Sequence, residues 1–81
     1  MRVHLLYFGI IRERLGRREE TLDVPEGTTV GQITTSLSER HGDLATGVAS
    51  LRVAVNLEYV DSARVLAEGD EIAVIPPVSG G

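Results

Sequence analysis

The sequence predicts a single α+β domain in which one main helix covers one face of a mixed sheet. Three observations support this prediction. The chain has 81 residues, which is enough for one domain and too few for two. One central segment has the apolar spacing of an amphipathic helix. Short segments on both sides of it have the composition or alternation of strands, which gives the order β, β, α, β, short β, β.

The first two strands are predicted on either side of a short helical segment. Residues 3–8 are largely apolar and rich in strand-forming residues, and Gly9 ends this run. Residues 10–15 can form one or two helical turns, which Gly16 stops. In residues 20–24 apolar and polar side chains then alternate, which is typical of a half-buried strand.

The main helix is predicted to begin at Thr29, after turn-forming residues at 25–27. Thr29 and Gln32 have the spacing of a capping box, in which each side chain satisfies the other residue's free backbone amide. Gly42 is a suitable C-terminal cap. The residues predicted on the buried face are Val30, Ile33, Leu37 and His41.

The remaining elements complete the sheet. They are a third strand within 51–56, a tight turn at 56–58, a very short strand at 59–60, a turn at 68–70 and a last strand at 71–75. Pro76 and Pro77 lack backbone N–H donors and end the strand pairing. This order fits a β-grasp fold, the ubiquitin-like fold, although spacing alone also allows other small α+β folds. We therefore predict a β-grasp domain over residues 1–76 and a flexible tail, residues 77–81, that ends in Gly-Gly.

Composition excludes several classes of function. The net charge is −4 and all eight basic residues are arginine, so nucleic acid and membrane surfaces are poor partners. The absence of cysteine excludes disulfides, thiolate metal sites and thiol nucleophiles. We expect a cytoplasmic location, because the sequence has neither a signal-peptide layout nor an apolar stretch of about 20 residues.

No internal active site is predicted. His4 and His41 are far apart in the sequence and are expected on a strand face and at a helix end. The glycines at 27, 31 and 42 form no phosphate-binding pattern. The prediction is therefore that the chain binds no cofactor or metal of its own.

The C-terminal tail is the candidate site for the chemistry of this chain. Two glycines without Cβ atoms can pass a narrow channel, and five residues extend about 16 Å at about 3.3 Å each. The α-carboxylate of Gly81 is ionised at neutral pH, so it needs activation, for example as an acyl-adenylate. If the chain carries sulfur covalently, this carboxylate is the natural site, because a chain without cysteine cannot hold sulfur as a side-chain persulfide.

The chain resembles the small subunit of molybdopterin synthase, a ubiquitin-like sulfur carrier. The resemblance covers essentially the whole chain and is strongest at its end, GDEIAVIPPVSGG (69–81). It extends to LYFGIIRERLG (6–16), VPEGTTV (24–30) and VAVNLEYV (53–60). The family implies that an ATP-dependent adenylating enzyme activates Gly81 and that a sulfur donor protein converts it to a thiocarboxylate. The sulfur then passes to cyclic pyranopterin monophosphate in molybdenum cofactor biosynthesis.

The resemblance also implies the partners. The tail, with Pro77, Val78, Ser79 and Gly80 as contact residues, enters the large subunit, which supplies the catalytic side chains. The small subunit is thus no enzyme alone, and the complex is expected to be a heterotetramer. Positions matching Phe8, Tyr59 and Ile75 belong to an apolar docking patch in the family, where aromatic residues are common at the last position and Ile75 departs from that pattern.

Strand alternation supports such a patch. If Leu5 and Tyr7 face the helix, the opposite face of the sheet receives Leu6, Phe8, Ala54, Ala73 and Ile75. An exposed sheet face is normally more polar, so these residues indicate either a protein interface or a second small core under residues 43–50.

Other functions remain open at this stage. The chain could be a sulfur carrier for tRNA thiolation or for thiazole synthesis, the latter being less favoured because thiazole carriers are usually shorter. It could also be a protein modifier joined to target lysines through Gly81, or a non-covalent binding module with an inert tail.

Overall fold

A computed structural model describes residues 1–40 and 52–76 of the chain. In sequence order its elements are β1 (Arg2–Tyr7), α1 (Gly9–Leu15), β2 (Glu19–Asp23), α2 (Val30–Arg40), β3 (Arg52–Val55), β4 (Glu58–Val60) and β5 (Glu71–Ile75). The predicted order of strands and helices is therefore confirmed. The helical segment predicted after the first strand is a true helix of seven residues.

The five strands form one mixed sheet in the order β2-β1-β5-β3-β4. The two central strands, β1 and β5, are parallel, and the other pairs are antiparallel. A parallel pair needs a long crossover connection, and here that connection contains α2. This arrangement is the predicted β-grasp.

The core lies between α2 and one face of the sheet. Alternate residues of the strands point into it, as predicted, and each large aliphatic side chain there contributes about 1.5–3 kcal/mol through burial. The buried residues are Val3, Leu5, Tyr7, Val53, Val55, Ile72 and Val74 from the sheet and Val30, Ile33 and Leu37 from α2. Ile11 from α1 and Leu66 from the loop before β5 complete the cluster.

The predicted capping box at the start of α2 is confirmed. The backbone N–H of Thr29 donates to Oε1 of Gln32 at 2.9 Å, and the N–H of Gln32 donates to Oγ1 of Thr29 at 3.3 Å. The Thr29 N–H, which the helix cannot satisfy, is thereby paired, and the Gln32 N–H, which also donates to the Thr29 carbonyl at 3.1 Å, gains a second acceptor. The predicted positions of His41 and Gly42 lie outside the described residues.

The turn between β3 and β4 is joined by hydrogen bonds to the start of β5. Asn56 and Leu57 both have positive φ, 50° and 72°, which is typical of a two-residue hairpin loop. The Asn56 amide then donates to the buried carboxylate of Asp70 at 2.9 Å and accepts from the N–H of Glu71 at 3.0 Å. This clasp joins the β3–β4 turn to the beginning of β5.

An ion-pair cluster fastens the end of α2 to the edge strand β2. The Glu20 carboxylate, whose side chain is 10% exposed, accepts from Arg17 at 2.6 Å and from Arg40 at 3.1 Å. Burial raises the pKa of Glu20, but hydrogen bonds, the largest of them from Arg40, outweigh it, so the pKa lies below the ordinary 4.5. Burial of the Tyr7 hydroxyl, together with the nearby Glu20 carboxylate, raises the pKa of Tyr7.

The Glu20 cluster predicts a pH-dependent stability. Because the folded-state pKa is lowered, the ionised group stabilises the protein above pH 4.5, and this contribution disappears as the pH falls through the folded-state pKa. Glu20→Gln is therefore expected to lower the free energy of unfolding at pH 7, and its deficit relative to wild type should shrink below about pH 4. Urea unfolding between pH 7 and 3 measures this. A deficit that stays constant over the whole range would contradict the assignment.

Candidate docking face and tail base

The face of the sheet opposite α2 carries an apolar row across four strands. Pairing between neighbouring strands aligns its members, which are Leu6, Ala73, Ala54 and Tyr59 in order from β1 to β4. Strands are about 4.8 Å apart, so the row spans about 14 Å. In the centre of the row Ala54 is buried, at 8% exposed, and Ala73 is half-buried, whereas Tyr59 is 67% exposed.

A second row lies closer to the end of β5. Ile75 pairs with Arg52 across the sheet. Phe8 follows β1 in an extended conformation, with φ −128° and ψ 156°, so it continues the strand alternation and the parallel register brings it beside Ile75. Phe8 is 44% exposed. The sequence-predicted residues Phe8, Tyr59 and Ile75 are thus brought together on one face.

The opposite half of this face is polar. His4 lies between Thr21 and Glu71 in the strand pairing, and its Nδ1 is 3.1 Å from Oγ1 of Thr21. Further along, Arg2 pairs with Asp23 at 3.5 Å. His4 thus occupies the strand-face position expected for it. The apolar residues are therefore confined to the half of the face where β5 ends, and we call this half the docking face, defined by Leu6, Phe8, Arg52, Ala54, Tyr59, Ala73 and Ile75.

Arg52 is a member of the docking face that the sequence reasoning missed. Its guanidinium carbon lies 5.9 Å from the centre of the Tyr59 ring, at the outer limit of a cation–π contact, which at exposed sites stabilises by about 0.5–1 kcal/mol. The sequence did indicate this position, because Arg52 and Ala54 are two residues apart and residues two apart on a strand lie on the same face of the sheet.

The base of the tail is fixed by a glycine contact. Pro76 follows β5, and a Cβ added to Gly9 would lie only 3.0 Å from Cγ of the Pro76 ring. Gly9 also has a φ of 55°, which disfavours any other residue. The chain therefore leaves the sheet beside the first residue of α1. The predicted site residues Pro77, Val78, Ser79, Gly80 and Gly81 lie outside the described residues.

Nothing else in the described part of the chain resembles a catalytic centre. Residues 1–40 and 52–76 contain no group of three histidine or acidic side chains able to hold a metal ion. An open groove between α2 and β4 is lined mainly by hydroxyl and charged side chains, including Thr34, Ser36, Glu39, Asp61 and Ser62. Among the described helices, none is long and apolar enough to cross a membrane.

Comparison with known proteins identifies the family. The model of the ThiS family matches residues 5–81. This chain belongs to the ThiS family. It is 44% identical over 82 residues to the human molybdopterin synthase sulfur carrier subunit, an alignment that covers 98% of this chain and 93% of the human protein.

Two solved structures are similar in fold to this ThiS-family chain. Small archaeal modifier protein 1 of Haloferax volcanii matches with a TM-score of 0.81 and 28% identity, covering 95% of this chain and 98% of the modifier. A chain from the complex of subunits 1 and 2 of the molybdopterin-converting factor of Helicobacter pylori matches with a TM-score of 0.72 and 26% identity, and each chain is covered completely.

Substitution of Gly9 tests the tail base. Gly9→Ala places a methyl group at a residue with positive φ and against the Pro76 ring, so it causes both backbone strain and a steric clash. Gly16→Ala causes the backbone strain alone, because Gly16 has a φ of 69° but no atom within 4 Å of an added Cβ. We expect Gly16→Ala to lower the free energy of unfolding by about 1 kcal/mol and Gly9→Ala by about 1 kcal/mol more. Chemical denaturation of both variants measures the difference. Equal losses would show that the Gly9–Pro76 contact has no energetic importance.

Proposed function

We propose that this chain is the sulfur-carrier small subunit of a molybdopterin synthase and that it carries sulfur as a thiocarboxylate on Gly81. The observation that carries the proposal is the position of the docking face at the end of the sheet where Pro76 leads into the tail. An apolar surface that solvent would otherwise contact favours a protein partner. Family membership and the name of the human relative support the same role.

The proposed partner is the large subunit of the synthase. The docking face binds this subunit while residues 77–81, with a reach of about 16 Å, enter its active site. Pro77, Val78, Ser79 and Gly80 contact the channel, and Gly81 meets the substrate, cyclic pyranopterin monophosphate. The Helicobacter pylori complex of subunits 1 and 2 supports this pairing. Two copies of each subunit form the proposed heterotetramer.

The chemistry of Gly81 requires a second partner. An ionised carboxylate is a poor electrophile, so an ATP-dependent adenylating enzyme of the ubiquitin-activating type first forms the acyl-adenylate and releases pyrophosphate. Sulfur at the sulfide level, delivered by a sulfur donor protein, then attacks the acyl carbon, AMP leaves and the thiocarboxylate remains. In the synthase this sulfur passes to the substrate, and water supplies the oxygen that restores the carboxylate. The small subunit is thus a recycled co-substrate, and the catalytic side chains lie on the large subunit.

A second candidate function is a protein modifier joined to lysines of other proteins through Gly81. The similarity to small archaeal modifier protein 1 favours it. Because the chain has no lysine, it cannot form polymers linked through itself. A carrier for tRNA thiolation uses the same activated carboxylate and differs only in the acceptor of the sulfur.

Sulfur loading tests the proposed function directly. The purified chain, incubated with a cognate adenylating enzyme, ATP and a sulfur donor, is expected to gain the mass of one oxygen-to-sulfur exchange at its C-terminus. Mass spectrometry of the intact chain and of its C-terminal peptide measures this. The loaded chain, mixed with the large subunit and cyclic pyranopterin monophosphate, should yield molybdopterin. Loading without molybdopterin would favour tRNA thiolation or conjugation, and no loading would refute all the carrier roles.

Removal of Gly81 separates the tail from the fold. The truncated chain is expected to lose sulfur loading completely, because the new terminal residue, Gly80, lies one residue short of the activating site. Its melting temperature should change by less than about 2 °C, since the sequence predicts a flexible tail outside the core. Differential scanning calorimetry provides the control. A large fall in melting temperature would mean that the tail is packed structure.

A further inference from the structure

The docking face carries charged residues as well as apolar ones, and these charges are not evenly distributed. At the end near Pro76 it carries Arg52, which is exposed. Toward the other end, Glu19 flanks Leu6 and Glu71 flanks His4 in the strand pairing. Arg52, which pairs with Ile75, therefore stands near Pro76, and Glu19 and Glu71 lie farther from it on this face. Glu39 and Asp61 line the groove beside α2 together with Arg52, but neither forms an ion pair with it.

Arg52 is not among the arginines that form an ion pair within the described part of the chain. Arg2, Arg17 and Arg40 each pair with a carboxylate at 3.5 Å or less. Within residues 1–40 and 52–76, Arg52 pairs with Ile75 in the sheet and its guanidinium lies over the Tyr59 ring. It forms no ion pair there, so the charge of this exposed residue is available to a partner.

The contact with Tyr59 also fixes what Arg52 can bind. The guanidinium lies 5.9 Å from the ring centre, and a guanidinium carries its N–H donors along its edge. These donors match the two oxygens of a carboxylate in a bidentate contact. Arg52 and Tyr59 also belong to the residue types that are enriched at interface hot spots.

We propose that Arg52 is a specificity-determining residue for docking and that it binds an Asp or Glu side chain on the large subunit. This inference rests on the proposed function and identifies the chemistry of the partner at one position. The carboxylate on the partner lies opposite the Phe8–Ile75–Arg52 row, close to the entrance that receives the tail. The contact aligns the small subunit so that residues 77–81 point into the active site.

Charge variants of Arg52 test this inference. The dissociation constant of the complex between the full-length chain and the large subunit is measured by isothermal titration calorimetry. We expect Arg52→Gln to raise the dissociation constant about tenfold and Arg52→Glu by more, about thirtyfold. Arg52→Lys, which keeps the charge but not the fork of donors, should raise it about threefold.

Arg18→Glu is the matched control. It makes the same change in net charge as Arg52→Glu, but Arg18 is an exposed residue directly before β2, at the opposite edge of the sheet. Its dissociation constant should change less than about twofold. Raising the salt concentration from about 0.05 to 0.5 M should weaken wild-type binding more than binding of Arg52→Gln. A merely structural role of Arg52 would leave this salt dependence unchanged.

A charge swap completes the test. Reversal to arginine of one acidic residue on the docking surface of the large subunit should restore binding of Arg52→Glu. If Arg52→Glu binds as well as Arg18→Glu, the assignment of Arg52 is wrong while the proposed function stands. If the wild-type chain does not bind the large subunit, the proposed function fails, and the inference about Arg52 fails with it.

Discussion

The parallel pairing of β1 and β5 at the centre of the sheet is the constraint on which the rest of the structure depends. It joins the first and the last described strands, so Leu5 pairs with Ile72 and Tyr7 with Val74 although each pair is 67 positions apart in the chain. The crossover through α2 covers one face. The same pairing brings Pro76, the start of the tail, next to Gly9, and Phe8 next to Ile75. The core, the docking face and the base of the tail therefore all depend on the pairing of β1 with β5.

The two faces of the sheet have different physical requirements. The face toward α2 is filled with large side chains because burial stabilises the fold. The outer face uses Ala54 and Ala73 at its centre, where small side chains give a shallow apolar surface between the exposed rings of Phe8 and Tyr59. Because these outer residues contribute less to the core, they are free to serve binding. In the proposed carrier, fold stability and partner recognition therefore occupy opposite faces of the same five strands.

Much of the fold was predictable because its signals are local. The capping box of Thr29 and Gln32, the end of α1 at Gly16 and the hairpin turn at Asn56 each depend on residues within a few positions. Alternation also predicted the face on which Leu6 and Ala73 lie. The role of residues 77–81 remains a prediction from the sequence and the family, since the described residues end at Pro76.

The sequence by itself determined the order of the elements, the two faces of each strand and, by resemblance, the family. Strand order and register, in contrast, were decided only by the tertiary structure. They placed Arg52 over Tyr59, Gly9 against Pro76 and Glu20 between Arg17 and Arg40. Periodicity gives the direction in which a side chain points, but not which distant residue lies beside it. Those neighbours follow from the packing of the whole chain, and they turn an apolar sheet face into a face with a charged end beside the base of the tail.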